Sequence, residues 1–126
     1  MNVFFAHPRA YPDSVIDRTV ADLAARLGHP VTAGRDDYKL RGSVLGWEAW
    51  ERDVAIGFDP MTREPRFSVF IVPELSCGRA TATIVRLALQ AGKPVFFFGS
   101  QEAREIVAVQ DTGTDNWKSG WNLVIA

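Results

Sequence analysis

Apolar residues in this chain fall into short unbroken runs, separated by stretches in which they recur every three or four positions. "NVFFA", Asn2 to Ala6, is the first run. Its length and its Val and Phe content predict a buried strand. Val15, Ile16, Val20, Leu23, Ala24 and Leu27 then follow at helical spacing. Asp13 or Ser14 is placed to cap that helix and Gly28 to stop it. "PVTAG", Pro30 to Gly34, predicts a second strand, and "RDDYKLRG" a polar loop. Ser43 is placed to cap a second helix through "VLGWEAWERDVAIG", with Trp47, Trp50, Val54 and Phe58 as candidates for its apolar face. "FSVFIV", Phe67 to Val72, is the clearest strand. A helix from Gly78 to Ala91, a break at Gly92-Lys93-Pro94 and the strand "VFFF" come next. Ser100 is placed to cap a short helix, "QEAREIVAV", and a polar tail leads to a last strand, Leu123 to Ile125.

Strands therefore alternate with helices, and the strands are continuous apolar runs. Both features predict an α/β fold: a single three-layer domain, with a mostly parallel sheet of about five strands and helices on both faces, Rossmann-like or flavodoxin-like. Ligands in such sheets bind outside the carboxyl ends of the strands, at a switch point. That rule nominates four loops: "AHPRAY", "GRDDYKLR", "PELSCGRAT" and "GSQEA".

Length and composition narrow the function classes. A chain of 126 residues suits one domain, and 47 % hydrophobic residues supply a core for it. The net charge of −1 gives no strong nucleic-acid signal. A lone cysteine, Cys77, rules out an internal disulfide and fits a reducing compartment. The start "MNVFFAHPRAYPD" lacks a basic region and a long apolar run, so no signal peptide is expected. No apolar run approaches the roughly 20 residues that span a bilayer. The expectation is a soluble, cytoplasmic protein with no membrane partner. Two histidines and one cysteine lie far apart, so no metal and no bound cofactor is expected.

Two of the four loops carry the most chemistry. In "PELSCGRAT" the turn at Gly78 opens a helix, whose first N–H groups and partial positive charge suit an anion. Gly78 admits close approach of a ligand, and Ser76, Arg79 and Thr81 can add contacts. A plain turn capped by Ser76 is the bland alternative. In "AHPRAY", His7 is placed to bond a phosphate or move a proton, or merely to hold the loop. Arg9 and Tyr11 share that loop, an arrangement suited to clamping a phosphate and stacking a base. Cys77 reads as a small residue in a tight turn. Trp117 and Trp121 flank a polar loop and suit packing better than base stacking.

"SVFIVPELSCGRATATIVRLALQAGKPVFFF" resembles the core of the nucleoside 2-deoxyribosyltransferase and LOG-like (SLOG) superfamily. The match rests on Gly78-Arg79-Ala80-Thr81 and on Ala88 through Gly92-Lys93-Pro94-Val95. "NVFFAHP" is similar to the superfamily's first strand. "WEAWERDVAIGFDP" is similar to its second helix, where Asp53 falls on an aspartate position. "WNLVIA" is similar to the segment that helps complete the nucleoside pocket, which makes Asn122 a ligand-binding candidate. The resemblance implies a nucleoside- or nucleotide-type small-molecule ligand and a homo-oligomer.

One departure changes the expected chemistry. The superfamily's catalytic glutamate falls on Ile84 here, and isoleucine cannot attack an anomeric carbon. The resemblance then implies binding of a nucleotide-derived molecule without the usual covalent nucleophile. The alternative is an enzyme of the N-glycosidic bond, a deoxyribosyltransferase or N-glycosidase, whose working carboxylate has moved to Glu74 or a nearby aspartate. Glu74 lies just past the third strand, with His7 as a second catalytic candidate. Asp36 and Asp37 follow the second strand, where Asp36 is placed for a ribose hydroxyl. A scaffold for protein contacts, with no small ligand, is the third reading.

Overall fold

A computed structural model describes residues 1–8, 10–34, 57–59, 62–99, 102–113 and 120–126. Of the helix expected over "VLGWEAWERDVAIG", all but the final Gly57 lies outside these residues.

The elements run β1 (Val3–Phe5), α1 (Asp13–Leu27), β2 (Val31–Ala33), β3 (Val69–Val72), β4 (Ser76–Cys77), α2 (Arg79–Gln90), β5 (Val95–Phe98), β6 (Ala103–Asp111) and β7 (Trp121–Ile125). They build an α/β fold on a mixed seven-stranded sheet ordered β2-β1-β3-β5-β6-β7-β4. The first four strands in that order are mutually parallel, and the other three pairings are antiparallel. Seven strands thus replace the expected five, because β4 and β6 were not anticipated as strands.

The pleat sorts the apolar runs into two cores. Val3, Phe5 and Ile71 cluster with Leu23 of α1. Their neighbours Phe4, Phe70 and Val72 point the other way and cluster with Ile84, Val85 and Ala88 of α2. This second core holds a knot of aromatic rings: Phe70 lies 5.7 Å from Phe4 and 5.5 Å from Phe58 between centroids.

Helix ends follow simple rules in part. Gly28 closes α1 in the left-handed conformation (φ 70°), and its N–H donates to the Ala24 carbonyl at 2.9 Å. The start of α1 differs from expectation. Neither Asp13 nor Ser14 caps it: Pro12 occupies the cap position without a side-chain bond, and Asp13 is already helical.

The expected helix "QEAREIVAV" is instead strand β6. Its first residues pair with β5 and its remainder with β7, with an irregularity between Ile106 and Ala108. The hairpin of β6 and β7 cannot continue a flat sheet. Four strand spacings separate β3 from β4 in the sheet order, about 19 Å if flat. Only Pro73, Glu74 and Leu75 join those strands, a reach of about 14 Å. The sheet must curl, and it does so beside α2: Ile106 and Leu123 from the hairpin share one core with Ile84, Val85 and Ala88. Among the described residues no helix is long and apolar enough to cross a membrane.

Candidate functional site

The chain leaves β1 toward β2 on one side, while β3 leads to β5 on the other. The sheet's switch point therefore lies between β1 and β3, and a ligand site is expected at their carboxyl ends. Two segments meet there, one of residues 6–8 and 10–12 and the other of residues 73–78.

A hydrogen bond joins them. The Tyr11 hydroxyl donates to Glu74 Oε1 at 2.9 Å. Glu74 is exposed and its partner half-buried, so the pair stands at the surface over the switch point. Burial, the bond to Glu74 and its negative charge together push the Tyr11 phenol up to about 12. Tyr11 thus stays a neutral donor throughout the physiological range.

His7 stands two residues past the end of β1 and turns inward, with only 9 % of its surface exposed. Its Nδ1 donates to the Pro8 carbonyl at 2.9 Å, and its ring lies 5.6 Å from that of Phe5. Gly34 lies beside the imidazole: a Cβ built there would stand 3.7 Å from His7 Nε2, an ordinary contact distance. The bond to Pro8 ties the imidazole to its own loop.

The second loop is pinned by a short strand. Ser76 pairs with Asn122 and Cys77 with Trp121, antiparallel, and the Leu123 N–H donates to the Leu75 carbonyl at 2.7 Å. Two of the sequence candidates, Ser76 and Asn122, therefore become direct neighbours. Ser76 is not a helix cap. The cap position of α2 belongs to Gly78, in an extended conformation, with no side-chain bond and no acidic residue in the first turn. Arg79 and Thr81 lie in that first turn, half-buried. An uncapped helix start with no carboxylate nearby on the helix keeps its attraction for an anion.

Cys77 is not an activated thiol. Burial, aided by the Glu74 charge, raises it to about 11, so it remains protonated at neutral pH. Trp121 is 7 % exposed and belongs to the protein interior, which removes it as a base-stacking surface. Arg9, Asp36, Asp37, Asp53 and Trp117 lie outside the described residues. Among the described residues no three metal-binding side chains gather.

No protein-family model, curated protein or solved structure matches this chain.

Ile84 shows why the helix carries no carboxylate at this position. It is 6 % exposed and packs between the sheet and the β6–β7 hairpin. A glutamate there would enter an apolar core rather than a ligand cleft. One polar neighbour of the site escaped the sequence reading. Gln110 of β6 pairs with Asn122, which in turn pairs with Ser76. The signal was masked because the segment looked helical, and helical spacing gives Gln110 no relation to Asn122.

Proposed function

We propose that the chain binds a nucleotide-derived small molecule at the carboxyl ends of β1 and β3, with no nucleophile on α2. The Tyr11–Glu74 hydrogen bond carries this reading. It ties the two loops flanking the switch point into one polar surface, beside the uncapped start of α2. Glu74 is suited to accept from a ribose hydroxyl, and Arg79 with the helix N–H groups to meet a phosphate. The layered arrangement of a Rossmann-like fold and kinship with the deoxyribosyltransferase and SLOG superfamily belong to the same proposal. They rest on "GRAT" and "AGKPV" together with the parallel order β2-β1-β3-β5.

The same bond favours a second reading. A carboxylate held by a phenol beside a ligand is equipped to stabilise an oxocarbenium ion, so Glu74 is the candidate for N-glycosidic chemistry.

A thermal-shift screen over nucleosides and nucleotides separates the readings. Binding raises Tm in the wild type, and both Arg79→Ala and Glu74→Gln diminish the rise. Glycosidic chemistry additionally releases free base, detected by chromatography, and Glu74→Gln abolishes it. If no compound moves Tm, the nucleotide reading fails. The homo-oligomer implied by the resemblance is checked by light scattering on the same sample.

A further inference from the structure

We propose that the Tyr11–Glu74 hydrogen bond is a strap that holds the free chain closed, and that a nucleotide must part it to enter. This inference rests on the nucleotide reading above and adds how access to that site is controlled.

The strap lies across the switch point. β1 and β3 run side by side, with Phe5 opposite Ile71, and the Ala6 N–H extends the pairing by donating to the Ile71 carbonyl at 2.9 Å. Beyond that bond the two segments separate. One turns into α1, with the Tyr11 N–H donating to the Pro8 carbonyl at 3.2 Å, and the other runs through Pro73 and Glu74 to β4. A ligand at the carboxyl ends of these strands enters where they separate. The Tyr11 hydroxyl and Glu74 Oε1, 2.9 Å apart, rejoin the two segments across that opening.

Glu74 obstructs entry in a second way. Its negative charge reaches Cys77 and helps to raise that thiol. Cys77 stands two residues before Arg79, where α2 begins. The strap thus keeps a carboxylate close to the helix start that would receive a phosphate, and the two negative groups repel. Parting the strap opens the gap between the segments and frees Glu74 to turn toward a ribose hydroxyl. The contact suits such an exchange. Glu74 is exposed, and one bond at the surface is weak enough to be traded for a bond to a ligand hydroxyl. A protein that must open first binds more weakly in proportion to its open fraction, and the loss falls on the association rate.

Stopped-flow titration with AMP, GMP, CMP and UMP tests this on the wild type and on Tyr11→Phe. The variant keeps the ring and lacks only the hydroxyl. It is expected to bind the nucleotide about fivefold tighter, through faster association with dissociation unchanged. Equal or weaker binding, or a gain confined to dissociation, overturns the strap and leaves the nucleotide reading standing. The wild type gives a second reading free of any substitution. At about pH 11, bound nucleotide should raise the fraction of ionised tyrosine, because Tyr11 loses the bond and the nearby charge of Glu74. An unchanged or lower fraction in the complex means that the strap stays shut, and overturns it as well. If no monophosphate binds either protein, the nucleotide reading and the strap fall together.

Discussion

Tyr11 and Glu74 stand 63 positions apart, and each is readable in the sequence as a polar loop residue. Their pairing is not readable, because it depends on β1 and β3 lying side by side. The bond has a titration signature. The Tyr11 phenol is raised from 10.0 to about 12, so the folded state favours its neutral form. This contribution to stability is complete below about pH 10 and disappears as pH rises to about 12. An ultraviolet titration should find one of the two tyrosines ionising near pH 12, and Glu74→Gln should bring it down. Unchanged titration in the variant would show that the carboxylate does not hold the phenol. Cys77 offers a second check at this scale. With its thiol raised to about 11, native protein at pH 8 should resist iodoacetamide, whereas denatured protein should react quickly. Fast alkylation of the native state would contradict the buried placement.

At the scale of elements, the continuous apolar runs proved easy to read and β6 did not. "AREIVAVQD" carries Ile106 and Val109 three apart, as a helix would. The β-irregularity between Ile106 and Ala108 explains the disguise. An extra residue in a strand shifts its alternation, so two inward side chains become separated by two residues instead of one. Ile106 is buried and Val109 packs against the same core. β4 was hidden for a different reason: two residues are too few to show any period. The helix α2 was legible from its pattern, and within it Ile84 is buried. Its burial between sheet and hairpin yields a prediction. Ile84→Glu should not create glycosidase activity, and it should lower stability by about 3 kcal/mol or more, measured by urea unfolding. A stable variant that releases base would place position 84 in a ligand cleft instead.

For the molecule as a whole, the curl of the sheet determines what the site can contain. The short join from β3 to β4 draws the hairpin back to the carboxyl end, where β7 delivers Asn122 beside Ser76. The α/β class was legible because it follows from local apolar runs. The curl was not, since it follows from strand pairings distant in sequence. The opposite end of the sheet serves another purpose: the Asn2 side chain donates to the Arg66 carbonyl and accepts from the Ser68 N–H and hydroxyl, a structural clamp. The two ends therefore provide a built-in comparison. The most direct measurement is amide chemical-shift mapping during titration with the nucleotide that raises Tm most. Perturbed amides should gather at Ala6–His7, Ala10–Tyr11 and Glu74–Thr81. Perturbations gathered at Asn2, Arg66–Ser68 and Lys93, or none at all, would contradict a nucleotide site at the carboxyl ends of β1 and β3.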